Sequence, residues 1–533
     1  MKGVRARLKI ILRAAVVAAI ALVAFAGRAG AQSWPTWTAD CTNNSVPHSV
    51  AGTVTWTPAL CQEFNEGIVA GSAVPMDQNK VAWAYDTCTA PCGEGNNEIE
   101  AYCPPPGYVG GVPAGCPTGF STATNTEYVD SSGHLVIQAY NPNLANPGVG
   151  TWYSARVKSE LVQNFMYGRI ESSIELPNTT NQGLWPAFWS LGTDIDSGSG
   201  WPTCGEADIM EVWSPQVDSG PGPGGNRSTI HTGVTVGVDI PAGEAYSFTP
   251  PATNDGAFHA YGVIWSYNMM QFYVDDPTKP FFIATPESIP APPADQWPFN
   301  AKIFLIKNIA VGGTLGGTPS VSTPDPGQML VDYVRQYTPS AVSPPNFGTP
   351  PAITVTAGAT TGNTSTISPT PPPGTPPGTT WYSYIDCTTN APAASCSIST
   401  NDALNHFVFN LTQDSTITVT FASTARRGWL PYRLDPRRWG PRTQITIPAL
   451  FLFALLLFIV RRTGTARGFR YGVALGGLVL IGTILASCGG NGSGGGQGNG
   501  TTAGAYTITV NAFTESNTTG TADATATVNV TVN

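Results

Sequence analysis

The sequence predicts an all-β protein whose main unit is a β-sandwich. Three observations carry this prediction. Short runs of β-forming residues recur between Gly, Pro and Asn turns, among them 134–140 (HLVIQAY), 167–176 (YGRIESSIEL), 259–266 (HAYGVIWS), 270–275 (MQFYVD), 302–311 (KIFLIKNIAV) and 329–337 (MLVDYVRQY). Runs of that length without helical periodicity are sandwich strands. Gly (59) and Pro (47) are abundant in 533 residues while only 11% are charged, a composition that fits a loop-rich exported protein rather than a helical cytosolic one.

Taken from the N-terminus, residues 1–31 read as a secretory signal. Lys2, Arg5, Arg7, Lys9 and Arg13 precede an apolar run from Ala14 to Ala26, and Ala29-Gly30-Ala31 offers a small-residue cleavage site. Removing this segment takes away six positive charges and no acid, moving the net charge from −9 to −15. A further ten Arg lie between Arg426 and Arg470. The remainder is strongly acidic, which argues against nucleic acid as a partner. Six of the ten Cys (Cys41, Cys61, Cys88, Cys92, Cys103 and Cys116) cluster early and suggest up to three disulfides of open connectivity. Cys387 and Cys396 suggest a fourth, and Cys204 is left as a buried free thiol.

Residues 32–338 form one long block, large enough for a substantial core. The Pro/Thr/Gly-rich stretch 339–380 reads as a linker, 381–424 as a further β segment, 488–504 as a Gly-rich linker and 505–533 as two strands. Between them, 445–460 (ITIPALFLFALLLFIV) and 471–487 are strongly apolar, and 443–487 reads as a transmembrane hairpin that would tether the protein to a membrane. Arg461, Arg462, Arg467 and Arg470 in its turn favour a cytoplasmic turn. Six Arg before the first span (Arg426 to Arg442) pull the other way, so the sequence leaves the topology open. Leu485-Ala486-Ser487-Cys488 also has the form of a lipoprotein cleavage box.

The chemistry concentrates in 205–213 (GEADIMEVW). Three carboxylates, Glu206, Asp208 and Glu211, interrupt an apolar run, although like charges in such a run repel and lose hydration. Residues two apart in a strand share a face, so Glu206 and Asp208 point together. Glu211 joins them only if a β-bulge near Ile209-Met210 adds one residue. The outer pair then has Cα atoms about 13 Å apart at roughly 3.3 Å per residue. Side chains leaning inward can approach the roughly 5–5.5 Å of a retaining glycosidase pair. The alternative is a solvated strand face. Trp185 and Trp189, just upstream in GLWPAFWSL, can stack on sugar rings or pack in the core, and Trp185 is expected to be the more exposed.

These motifs resemble glycoside hydrolase family 16, in its laminarinase-like (endo-β-1,3-glucanase) branch. WPTCGEADIMEVW carries the resemblance together with EFN (63–65), GNNEIEAY (95–102), YSARVKS (153–159), YGRIESSIELP (167–177), GLWPAFW (183–189), IHTG (230–233), KNIAVGG (307–313) and MLVDYVRQY (329–337), in the family's order. The resemblance covers roughly 60–338. It implies a jelly-roll sandwich of the concanavalin A-like kind, β-glucan polysaccharide as substrate and double displacement with retained configuration. Glu206 is then the nucleophile, Glu211 the general acid/base and Asp208 the assisting carboxylate. No cofactor is needed for the chemistry. Asn97, Glu98 and Arg156 match residues that bond sugar hydroxyls on the non-reducing side, and His231 and Asn308 match the leaving-group side and cleft floor. A structural calcium occurs in the family, and Asp332 matches one ligand. Two departures, Gln62 before EFN where the family has Asp and the insert 103–127, bear on substrate preference. The C-terminal segments resemble a bacterial immunoglobulin-like repeat interrupted by the hairpin. A transglycosylase and a glucan-binding module without turnover are the competing functions, separable by product sizing with an acceptor sugar and by binding without turnover.

Overall fold

The computed structural model describes residues 49–64, 83–217, 225–289, 297–425 and 500–533, short internal gaps aside, with residues 37 and 41. The expected signal (1–31) and hairpin (443–487) lie outside the described residues. Among the described residues no helix is long and apolar enough to cross a membrane.

Two large antiparallel sheets build the first unit. The cleft sheet has the strand order 240–247, 225–232, 206–211, 184–192, 303–311, 156–158, 84–86. The outer sheet runs 49–51, 54–62, 327–339, 168–175, 259–266, 269–274, 282–284, with the hairpin of 127–129 and 135–139 added on strand 327–339. Strand alternation sends Phe188, Ala207, Leu305 and Ile309 of the cleft sheet and Ile170, Val263, Phe272 and Val331 of the outer sheet into one core between them. The other face of the cleft sheet is left for chemistry.

The early cysteines pair as Cys41–Cys61, Cys88–Cys92 and Cys103–Cys116, and Cys387 pairs with Cys396. Cys204 is a buried free thiol, pushed up to about 11 by burial.

A second unit follows, and it begins inside the stretch expected as a linker. Strands Ile353–Val355 and Thr364–Ile367 arise there. Ile353, Val355 and Ile367 are buried while their neighbours are exposed, a period of two that Pro/Thr-rich composition hides. The unit has a five-stranded sheet (353–355, 524–532, 504–514, 382–389, 408–410) and a three-stranded sheet (364–367, 417–423, 394–399) around a shared core. Cys387–Cys396 ties the two sheets. The segments before and after the undescribed 426–499 thus belong to one β unit. It packs on the outer sheet, where Met269 and Ile283 meet Tyr382, Tyr384 and Phe513, and Tyr384 Oη donates to Glu287 at 2.8 Å. At the same junction Gln271 Nε2 donates to Glu515 at 3.4 Å, and burial pushes Glu515 up to about 8.

One core position breaks the apolar pattern. Lys307 shares its strand face with Leu305 and Ile309 and points inward, fully buried, its Nζ 3.3 Å from the Phe188 ring centroid. The amine has no hydrogen-bond partner among the described residues, and burial holds it well below the ordinary lysine value. A lysine neutral when folded but charged when unfolded weakens the fold below its unfolded value, roughly 10.4, and stops doing so above it. Lys307→Met is therefore expected to raise the melting temperature by about 3 °C or more near pH 7, some ~1 kcal/mol for a domain of this size. The gain should shrink as the pH approaches 10. Calorimetric melts of both proteins across that range check it, and a pH-independent difference would contradict a neutral buried amine.

Candidate active site

The acidic strand Glu206–Glu211 lies between 184–192 and 225–232. Its register slips on both sides. Against 225–232, Asp208 faces Thr229 but Glu211 faces Arg227; against 184–192, Asp208 faces Trp189 and Met210 faces Phe188. One extra residue therefore sits between Asp208 and Glu211, where the charge spacing requires a bulge. Ala207, Ile209, Met210 and Val212 all enter the core, leaving Glu206, Asp208 and Glu211 together on the cleft face. The bulge takes ladder partners from two backbone groups, and the adjacent strand restores them. Asn226 Oδ1 accepts from the Glu211 N–H at 3.2 Å, and Ser228 Oγ donates to the Ile209 carbonyl at 2.8 Å.

The three carboxylates border a cleft of about 620 Å³. Trp201 Nε1 donates to Glu206 Oε2 at 3.0 Å, and Trp185 Nε1 donates to Glu211 Oε1 at 3.0 Å. His231, directly across from Glu206 in the register, brings Nε2 to 3.2 Å from Asp208 Oδ2 and 3.9 Å from Glu206 Oε1. Its Nδ1 meets Asp239 Oδ2 at 2.7 Å. Burial opposes charge on this imidazole, but Asp208 and Asp239 outweigh it and push it up to about 11, so it is a cation at working pH.

Burial, then the Asp208 charge, raises both glutamates: Glu206 to about 8, and Glu211 well above the usual carboxylate range. Their surroundings differ in kind. Glu206 is eased back towards ionisation by His231, Trp201 and Arg156, whereas Glu211 is eased by His231 and Trp185 but is further raised by Glu206. The pair therefore holds its proton preferentially on Glu211. Spacing alone could not break that symmetry.

The remaining candidates fall into place unevenly. Trp185 and Trp189 both line the cleft, but Trp185 is 8% exposed and Trp189 is the half-buried one, the reverse of expectation. Trp185 is covered because it packs with Trp213 and Ala310 while bonding Glu211. Trp189 Nε1 donates to Asn308 Oδ1 at 2.7 Å, and the Arg156 guanidinium lies 4.7 Å over its ring. Arg156 pairs with Asp86 at 3.1 Å. Ala187, between Glu211 and Asn308 in the register, keeps the floor open with its small side chain. Glu98 lines the cleft, but Asn97 does not. It is exposed just after a turn, at φ 65°, and Asn96, Glu98, Glu100 and Tyr102 line the cleft instead. No described residue of the 103–127 insert lines the cleft.

Asp332 sits half-buried on the outer sheet beside a register shift between Val331 and Tyr333. Among the described residues, His, Cys and carboxylate groups gather within ligand distance only as Glu206, Asp208 and His231, in the cleft. The side chains around Asp332 do not fit a carboxylate-built calcium site, and no chemistry here is routed through calcium.

Sequence reasoning singled out neither Asp239 nor Glu100, Tyr102, Asn226 and Ser228. Asp239 becomes legible only through the pairing of 225–232 with 240–247, which sets Pro241 opposite His231.

A cleft across one sheet of a sandwich, floored by carboxylates and walled by indoles, defines a carbohydrate-cleaving enzyme of the β-sandwich class. The model of glycosyl hydrolases family 16 matches residues 118–294. The beta-glucanase of Rhodothermus marinus is 35% identical over 219 residues, 38% of this chain and 68% of that protein. The glucan endo-1,3-beta-glucosidase A1 of Niallia circulans is 33% identical over 226 residues, 41% of this chain and 31% of that protein, so the match spans about a third of its length. The solved endo-beta-1,3-glucanase of Pyrococcus furiosus aligns over 56% of this chain and 100% of its own, at 28% identity and a TM-score of 0.42. The chain belongs to glycosyl hydrolases family 16.

The bulge support can be tested directly. Asn226→Leu keeps approximate size but leaves the Glu211 N–H unpaired, an expected loss of about 1–3 kcal/mol. Turnover should fall ~10-fold or more as Glu211 drifts from its position. Denaturant melts and initial rates check both, and parent-like turnover would show that Asn226 does not hold the bulge.

Proposed function

We propose that this protein is an exported, endo-acting, retaining glycoside hydrolase that cleaves β-1,3 and mixed β-1,3/1,4 glucans. The observation that carries the proposal is the bulged strand presenting Glu206 and Glu211 to one cleft, with an indole N–H 3.0 Å from each. The relatives named above, a beta-glucanase and a glucan endo-1,3-beta-glucosidase, support the substrate class.

In this mechanism a Glu206 oxygen attacks the anomeric carbon while the glycosidic C–O bond breaks and the Glu211 proton passes to the leaving oxygen. Glu211, now a carboxylate, takes a proton from water. That water's oxygen attacks the anomeric carbon, and the bond to Glu206 breaks. Asp208, paired with cationic His231, stands between the glutamates and raises both, so that one proton is retained by the pair. Trp189 and Glu98 offer the stacking surface and hydroxyl acceptor on the sugar side.

The pH dependence follows from these assignments. Activity rises as Glu206 loses its proton and falls as Glu211 loses its own. Glu211→Gln should lower kcat/KM on laminarin by ~10²–10⁴ and abolish the alkaline limb while leaving the acid limb. Survival of the alkaline limb would remove Glu211 from the acid's role. Glu206→Gln with parent-like cleavage would remove Glu206 from the nucleophile's.

We further propose that the protein is held at the cell surface or in the periplasm by the 443–487 hairpin. Thr501 N–H donates to the Thr424 carbonyl at 2.9 Å, and Thr424 N–H donates to Thr501 Oγ1 at 3.0 Å. A segment that leaves at one residue and returns at the other has both ends on one side of a bilayer, so it crosses an even number of times. The turn bearing Arg461 to Arg470 is then cytoplasmic, despite the six Arg before the first span. In a Gly464→Cys variant, an impermeant thiol reagent should label this turn only after lysis. Labelling of that position in intact cells, or recovery of the full chain in the soluble fraction without detergent, would refute the topology.

A further inference from the structure

We infer that Glu100 is a positioning residue for Trp189, acting through Tyr102 and Asn308. The inference rests on the proposed function only in treating Trp189 as a surface for sugar.

Glu100 is fully buried beneath the cleft. Its Oε2 accepts from the Val311 N–H at 2.8 Å, while Oε1 has no hydrogen-bond partner. Two residues on and on the same side, Tyr102 is buried, and Asn308 Nδ2 donates to its hydroxyl oxygen at 3.0 Å. The other end of the Asn308 amide accepts from Trp189 Nε1 at 2.7 Å. An amide has one donor end and one acceptor end. Asn308 therefore turns its carbonyl to the indole only while its NH₂ faces Tyr102. The Tyr102 oxygen then accepts, and its own hydrogen needs an acceptor elsewhere. The open oxygen of Glu100 is the one the site supplies.

The donors thus point one way, from Trp189 to Asn308 to Tyr102 to an ionised Glu100. A proton on Glu100 breaks this order. The acid must donate to the Tyr102 oxygen, the Tyr102 hydrogen turns to Asn308, and the amide presents NH₂ to an indole that can only donate. Trp189 loses its anchor from below while Arg156 still covers its ring from one side.

The groups facing Glu100 support titration in the working range. Glu98, on its own strand, raises it. Tyr102 and the Val311 amide lower it. Strand 303–311 adds the neutral Asn308. Strand 156–158 brings Arg156, 6.0 Å over the Tyr102 ring and paired with Asp86. Burial is the largest influence, and the balance pushes Glu100 up to about 7.

Two readouts test the inference, one without ligand. In ¹⁵N-indole-labelled protein the Trp189 Nε1–H resonance, assigned by its loss in Trp189→Phe, should titrate between pH 5.5 and 8.5. In Glu100→Gln, whose carbonyl is held by the Val311 N–H so that its NH₂ faces Tyr102 as a donor at every pH, it should stay at the parent's low-pH position. In Tyr102→Phe, which removes the link between Glu100 and Asn308, it should no longer titrate. A resonance that does not move in the parent, or moves equally in Glu100→Gln, overturns the inference. Laminarihexaose binding by calorimetry in a Glu206→Gln background reads the consequence. Affinity should weaken about fivefold towards acid, the worth of one neutral hydrogen bond, and adding Glu100→Gln should flatten that slope. Titration of the resonance without hexaose binding at any pH would uphold the chain and refute the glucan substrate instead.

Discussion

The site depends on one extra residue in one strand. A regular strand would place Glu211 on the face of Ala207 and Ile209, inside a core whose members are almost fully buried. A carboxylate there would have neither water nor a partner, at a penalty of several kcal/mol. The bulge sends Ile209 and Met210 inward together and returns Glu211 to the cleft. Its own irregularity is local, because Asn226 and Ser228 replace the lost ladder bonds. Three acids can then stand on one short strand without burying an unpaired charge in the core.

Having three acids on one face creates a second problem, which is how the molecule tells two similar glutamates apart. Distance from the core does not do it, since burial is the largest influence on both. The difference comes from what else each glutamate meets. His231, fixed as a cation between Asp208 and Asp239, lies 3.9 Å from Glu206, and Arg156 adds to the field at Glu206. Glu211 also meets the His231 charge, but Glu206 raises it further, and Trp185 is its donor. The polarity that the proposed mechanism needs, nucleophile first and acid last, is thus written in the surrounding strands.

Much of this was legible in the sequence, because spacing within a strand is local information. The five-residue interval from Glu206 to Glu211 demanded the bulge, and the apolar residues between them marked the core face. Legibility failed where a residue's surroundings are set by strands distant in sequence. Trp185 looked exposed until Trp213 and Ala310 closed over it. Asn97 belonged to a matching motif, yet Asn96 and Glu98 line the cleft in its place. Ile353 and Val355 were lost in Pro- and Thr-rich chain because their partners come from 524–532, on the far side of the apolar segment. Lys307 could not be read as a core residue because its charge argues for the surface.

The second β unit bears on how such a cleft can serve a long polymer. Along strand 269–274, Met270 and Phe272 enter the core while Met269 and Gln271 face outward and meet the second unit. These contacts lie on the outer sheet, with the whole sandwich core between them and the carboxylates. None of the cleft's described lining residues comes from the second unit. The point where Thr424 and Thr501 meet belongs to that unit as well. An attachment made there leaves the groove on the cleft sheet unobstructed. On the function and attachment proposed above, a chain of sugar rings could cross the row of Glu206, Asp208 and Glu211 without meeting the tether.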